Sequence, residues 1–266
     1  MSERIGDNWA RGDSYERYVG RWSRRVAPMF LDWLRARPGA AWADVGCGTG
    51  ALSATILDRC APSSVTGVEP SPGFLKTAGQ NLGDRATLHQ GSATSIPLDD
   101  ASVDYTVSGL VLNFVADAPA AIVEMSRITS RDGVVAAYVW DYAGKMQLMQ
   151  HFWDAAVALD ARASSIAEQH RFPNCSPDPL RTLFTNGGLE DVEVGALVLP
   201  MPFRSFDDYW EPFLGGAGPA PVYVANLDEA ARSALRERLR ERLPIAADGS
   251  IALEARAWAV RGTVRR

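Results

Sequence analysis

A chain of 266 residues, 47% hydrophobic and 22% charged, is long enough to bury a full core, as one large domain or as a domain with a sizeable insertion. Its net charge of −5 excludes a global electrostatic pull toward nucleic acid or anionic lipid, so a small molecule is the expected partner. No apolar run approaches the ~20 residues that a membrane span needs.

The first forty residues carry eight Arg against five acids, which reads as a solvated basic face. The stretch from Met1 to Asp7 is polar and lacks the apolar core of a signal peptide. From Trp42 onward, short apolar runs alternate with segments of helical period. Ala41 to Val45 is an apolar run ending in glycine, and Leu52, Ile56, Leu57 and Cys60 then recur at helical spacing. Val65 to Val68 is a second strand. Phe74 to Leu82 is a helix with Ser71 as cap and Pro72 in its first turn. Ala86 to His89 and Val103 to Val107 are further strands, Ala118 to Ile128 a helix, and Val134 to Trp140 a fifth strand bounded by Asp132-Gly133. Strand–helix alternation of this kind predicts a parallel sheet covered on both faces.

After Asp141 the rhythm breaks. Residues 142–178 are aromatic and partly helical. Leu180 to Thr185 resumes as helix and stops at Asn186-Gly187-Gly188. Val192 to Leu199 is a sixth strand. A second irregular block follows, with Phe203, Phe206, Tyr209, Trp210 and Phe213. Leu227, Ala231, Leu235, Leu239 and Leu243 then mark one helical stripe, with Asn226 and Glu229 as a capping box. The alternation of Arg and Glu on that helix reads as a solvated face. Ala255 to Val260 is the last strand. One domain is expected over 1–266, with an N-terminal helical cap over 1–39 and lid insertions over 142–178 and 200–250.

Gly46-x-Gly48-x-Gly50 follows a strand and precedes a helix. Such glycines let a ligand touch the backbone, and the helix N-terminus offers unpaired N–H groups. The same residues satisfy the dinucleotide fingerprint G-x-G-x-x-G/A. Glu69, 23 residues after Gly46 at the end of the second strand, can accept both hydroxyl hydrogens of a ribose. That suits NAD and S-adenosylmethionine equally. Three features favour S-adenosylmethionine. Asp44, two residues before the first glycine, suits an ammonium and repels a pyrophosphate. Gly91-Ser92-Ala93 closes the third strand where an adenine edge can be read. No Tyr-x-x-x-Lys proton relay is present, Tyr142-Ala143-Gly144-Lys145 having the wrong spacing.

On these residues the chain resembles class I S-adenosylmethionine-dependent methyltransferases, in their small-molecule branch that includes quinone-biosynthesis enzymes. Ala43 to Gly50 looks like their first motif, and Val68-Glu69-Pro70-Ser71 like their acidic second motif. Gly91-Ser92-Ala93 through Ile96-Pro97-Leu98, Asp100, Ser102, Val103 and Asp104 resembles the next stretch. The resemblance covers roughly residues 40 to 140. It implies an α/β fold with a three-layer, Rossmann-like, seven-stranded and mostly parallel sheet whose last strand is antiparallel. Its implied cofactor-binding residues are Tyr18, Arg21, Asp44, Gly46, Cys47, Gly48, Gly50, Glu69, Pro70, Ser92, Ala93 and Ser108. Tyr18 and Arg21 belong to a stretch, Tyr15 to Trp22, that resembles a capping helix, and they would approach the methionine carboxylate. Two departures stand out. Ser92 occupies a place where the family often has Asp. Ser108 to Phe114 lacks the Asn/Asp-Pro-Pro-Tyr motif of enzymes that methylate nucleobase or glutamine amides, which argues against those acceptors.

The expected function is methyl transfer from S-adenosylmethionine to a small organic acceptor. The alternatives are an NAD-dependent oxidoreductase and a cofactor-binding protein without turnover. A base, where the acceptor needs one, is sought among His151, Asp141 and Tyr142. Trp140, Phe152, Trp153, Tyr209 and Trp210 are the candidates to cover a hydrophobic acceptor, although the aromatics from Phe203 to Phe213 also read as packed core. Cys47, Cys60 and Cys175 form no Cys-x-x-Cys pair, and His89, His151 and His170 have no ligand spacing. Neither a disulfide framework nor a metal site is expected, and the chain reads as cytoplasmic.

Overall fold

The structure, a computed structural model, describes residues 19–168, 172, 175–215 and 218–265. The chain divides into two compact units. One is built from Ser23–Trp140, Asn174–Leu197 and Ala257–Arg266, the other from Met1–Trp22, Asp141–Pro173 and Val198–Arg256.

The elements in chain order are α1 (Arg21–Leu34), β1 (Ala41–Val45), α2 (Ala51–Arg59), β2 (Ser64–Glu69), α3 (Pro72–Leu82), β3 (Thr87–Gln90), β4 (Val103–Gly109), α4 (Ala118–Ile128), β5 (Thr129–Trp140), α5 (Gln147–Leu159), α6 (Pro177–Asn186), β6 (Glu190–Phe203), α7 (Phe206–Trp210), α8 (Pro219–Ala225), α9 (Glu229–Arg242) and β7 (Ile251–Thr263). All seven expected strands are present, and they form one sheet in the order β3-β2-β1-β4-β5-β7-β6. The pairs β1–β2, β1–β4, β2–β3 and β4–β5 are parallel, while β7 runs antiparallel to β5, with Val134 opposite Thr263 and Trp140 opposite Ala257.

The first unit is the sheet with its covering helices. The central strand β1 is apolar along its whole length because it is covered on both faces: Trp42, Ala43 and Val45 are buried. Trp42 stacks on Tyr105 of β4 with ring centroids 4.5 Å apart. Phe30 of α1 lies 4.6 Å from the ring of Tyr138 on β5. The helices start where local chemistry dictates. The Ser71 hydroxyl accepts from the N–H of Phe74 ahead of α3, and Asp117 accepts from Ala120 ahead of α4. A proline occupies the first turn of each helix, where its missing donor costs nothing.

The second unit is organised around aromatic rings. Phe152 stacks on Phe213 at 4.5 Å, and Phe203 meets Trp22 at 5.4 Å and Tyr209 at 5.4 Å. The polar ends of the buried rings are satisfied internally, since Tyr209 donates its hydroxyl to the Leu148 carbonyl and Trp153 donates its indole N–H to Glu168. On α9, Leu235 and Leu239 face inward, while Arg240 lies over the ring of Phe206 at 4.0 Å. The expected capping box is corrected here. Asp228, not Asn226, caps α9 by accepting from Ala231, because Asn226 sits at the end of α8 and donates its amide to the Val222 carbonyl.

Candidate cofactor-binding site

The site lies in the sheet unit, at the carboxyl ends of the parallel strands. β1 ends at Val45, and the chain turns through Gly46, Gly48 and Gly50, all with positive φ (75°, 55° and 88°) before α2 begins. A residue with a Cβ holds that region at a cost of roughly 1–2 kcal/mol. At Gly46 a Cβ would also lie 2.6 Å from Cγ1 of Val111. At Gly48 nothing lies within 4 Å, so the backbone there borders open space.

The turn is fixed to its neighbours by backbone donors. The N–H groups of Gly46 and Cys47 both donate to the Val68 carbonyl, at 2.7 and 3.1 Å. Asn81 of α3 donates to the Thr49 carbonyl at 2.9 Å. Burial pushes the Cys47 thiol upward, so it stays protonated and unreactive.

Two acids flank the turn. Glu69, at the end of β2, accepts from the N–H of Gly48 at 3.1 Å through Oε2 and from the N–H of Ser71 at 3.0 Å through Oε1. These bonds fix its carboxylate, and each oxygen keeps a lone pair for a further donor. Burial raises its pKa, and the two N–H bonds oppose that rise. Asp44, on β1, is fully buried. Its Oδ2 accepts from the Ser53 hydroxyl at 2.7 Å, while Oδ1 has no partner. Burial lifts its carboxyl from 3.8 to about 7, and the charge of Glu69 adds to the rise.

Ser92 pairs its hydroxyl with Thr94 at 3.2 Å, in a small loop closed by a bridge between Ser92 and Ser95. The loop is held from below. Arg127 of α4 donates to the carbonyls of Ile96 and Leu98 and to Asp100, while Glu124 accepts from the N–H of Ile96. Pro70 accepts from the Gln90 side chain. Ala93 is half-buried beside Ser92. Ser108, on β4, is buried and donates its hydroxyl to the Val45 carbonyl at 2.8 Å, so that hydroxyl is spent inside the sheet.

The remaining expectations fall elsewhere. Tyr15, Tyr18 and His170 lie outside the described residues. Arg21 belongs to the aromatic unit. There it pairs with Asp208 at 2.9 Å and lies over the rings of Trp22 and Phe203. Phe152, Trp153 and Tyr209 are completely buried in the aromatic core and Trp210 nearly so, while Trp140 is buried at the end of β5 in the sheet unit. As placed, they present no surface to a ligand. Asp141 is taken up by Arg256 at 2.5 Å and by the N–H of Gly144 at 2.9 Å. Tyr142 packs on Phe172. His151 is half-buried, and burial lowers its pKa, which leaves a neutral imidazole able to accept a proton. Among the described residues no cluster suited to a metal is found. No helix among them is long and apolar enough to cross a membrane. Sequence reasoning missed Ser53, Asn81, Arg127 and Asn113, each of which matters through a contact or an unmet bond that only the fold reveals.

This donor set fits S-adenosylmethionine. Asp44 offers an orphaned buried oxygen to a cation, Glu69 a fixed carboxylate to paired hydroxyls, and Gly48 an open cradle. A mostly parallel sheet with an antiparallel β7 between β5 and β6, carrying this turn, is the arrangement that the resemblance to class I S-adenosylmethionine-dependent methyltransferases implies. Residues 43–137 match a family model described as a methyltransferase domain.

The chain is similar to the malonyl-[acyl-carrier protein] O-methyltransferase of Serratia marcescens, with 34% identity over 132 residues, 49% of each protein. It is also similar to the demethylmenaquinone methyltransferase of Lactobacillus johnsonii, with 33% identity over 112 residues, 40% of this chain and 46% of that one. The chain thus spans about half the length of these curated relatives. Among solved structures it shares its fold with phosphoethanolamine N-methyltransferase 2 of Haemonchus contortus in complex with S-adenosyl-L-methionine. The TM-score is 0.58 at 16% identity, covering 98% of this chain and 57% of that one. None of these matches favours an NAD-dependent oxidoreductase.

Proposed function

We propose that the whole protein transfers a methyl group from S-adenosylmethionine to a small organic acceptor. The observation that carries this reading is the pairing of the unpartnered Asp44 oxygen with the fixed Glu69 carboxylate on either side of an open glycine turn.

Bound S-adenosylmethionine supplies an electrophilic methyl on a sulfonium. The chain's part is to bind and orient. Glu69 takes the two ribose hydroxyls, and Asp44 takes the ammonium through Oδ1. The backbone at Gly48 allows close approach, and Ser92 with the N–H of Ala93 reads the adenine edge. Rigid placement of this kind accounts for much of the rate of an in-line displacement, because the orientational entropy is lost on binding.

The relatives' names give two acceptor chemistries to assay first, a malonyl group on a carrier protein and a demethylated menaquinone. The test is incubation of the purified protein with methyl-labelled S-adenosylmethionine and a panel containing both. Label in one acceptor, with S-adenosylhomocysteine released, is the expected result. Cofactor binding with no label in any acceptor would instead support a cofactor-binding protein without turnover.

A further inference from the structure

Asn113 lies in the short 3₁₀ turn Leu112–Phe114 that follows β4, and the proposed function gives it no part. Its Nδ2 and Oδ1 are both shielded from solvent, and neither has a hydrogen-bond partner. Orphaned buried donors and acceptors are rare in folded proteins, because the desolvation cost is not recovered. An amide that lacks both bonds points to a partner with a donor and an acceptor of its own.

The position of the turn says which partner. β4 pairs with β1, so the segment after β4 emerges beside the glycine turn. Val111, two residues before Asn113, stands so close to Gly46 that a Cβ there would meet its Cγ1 at 2.6 Å. Leu110 has φ of 63°, a conformation that a residue with a Cβ adopts at a cost, and its N–H donates to the Tyr138 carbonyl on β5. The chain is therefore bent and tied at the point from which Asn113 follows.

Along this sheet edge the strand order β3-β2-β1-β4 sets four groups in sequence: Ser92 after β3, Glu69 ending β2, Asp44 on β1 and Asn113 after β4. S-adenosylmethionine has its groups in a matching order: adenine, ribose, then the amino acid end with its ammonium and carboxylate. The end that carries both a donor and an acceptor falls at Asp44 and Asn113.

We propose that the Asn113 amide binds the amino acid end of the cofactor, with Oδ1 accepting from the ammonium that Asp44 also holds and Nδ2 donating to the carboxylate. This rests on the reading of the site as one for S-adenosylmethionine.

The test needs no methyl acceptor. Calorimetry compares S-adenosylhomocysteine, which keeps the amino acid end, with 5′-methylthioadenosine, which lacks it, on the wild type, Asn113→Leu and Asn113→Ala. The expected result is a loss of tenfold or more in affinity for S-adenosylhomocysteine in both variants, with 5′-methylthioadenosine unchanged. Thermal stability of the ligand-free variants should stay equal or rise, since an apolar side chain leaves no orphaned amide. Unchanged affinity for S-adenosylhomocysteine in either folded variant would overturn the proposal, as would an equal loss for both ligands. A wild type that binds neither ligand would overturn the underlying reading of the site, a distinct outcome.

Discussion

The hydroxyl of Ser53 donates to one carboxylate oxygen of Asp44 at 2.7 Å and leaves the other without a partner in a fully buried site. The apoprotein thus holds an acid whose surroundings oppose its ionisation, at the position where a cationic ligand group would reverse that preference.

A pH dependence follows. In the unfolded chain Asp44 ionises near its ordinary value, about 3.9. In the folded chain burial raises that to about 7. Between these values the folded state holds a proton that the unfolded state has released, so stability falls as pH rises from about 4 to 7. Asp44→Asn removes this loss. The variant should be more stable than the wild type above pH 7, by up to roughly 4 kcal/mol, and the difference should vanish below pH 4. Its affinity for S-adenosylmethionine should fall. Denaturant melts at several pH values, with calorimetry, check both; a variant less stable at pH 8 would contradict this account of Asp44.

Glu69→Ala removes the acceptor assigned to the ribose. Hydrogen bonds to a charged group contribute about 1.5–3 kcal/mol, so the affinity for S-adenosylhomocysteine should drop at least tenfold. The loss should be similar for 5′-methylthioadenosine, which has the same ribose. Equal affinity of variant and wild type would remove Glu69 from the site.

The glycines separate by what surrounds them. Gly46→Ala meets both a positive φ and the Val111 side chain, and should destabilise the fold by about 2 kcal/mol or more. Gly48→Ala meets only the positive φ, at roughly 1 kcal/mol, but its methyl enters open space beside Glu69. Its main effect should be on cofactor affinity. Thermal melts and calorimetry on the pair would show stability and binding moving separately; equal stability losses would contradict the assignment of Gly48 to the ligand-facing side.

Much of the sheet was legible because its signals are local. Val65 to Val68 is an apolar run of strand length, and the glycines after Val45 mark the end of β1. Asp132-Gly133 suggested the start of β5, yet the strand begins at Thr129. Val103 pairs with Thr129 and Tyr105 with Val134, so the residues between form an irregularity in which Asp132 takes φ of 62°. The turn signal therefore marks a bend within a strand and not its boundary. The site divides the same way. Asp44, Gly48 and Glu69 stand at strand ends that composition and spacing reveal. Ser53 and Asn113 were missed because their importance lies in a bond made, or left unmade, across the fold. Phe152, Trp153 and Tyr209 have the composition of a binding surface, and only packing shows them buried.

The unpartnered oxygen of Asp44 and the fixed carboxylate of Glu69 beside the open turn at Gly48 predict binding of S-adenosylmethionine there. Titration calorimetry of the purified protein against S-adenosylmethionine, S-adenosylhomocysteine and NAD tests it most directly. Saturable one-to-one binding of the first two, with no heat from NAD, is the predicted result. Binding of NAD without S-adenosylmethionine would contradict the account.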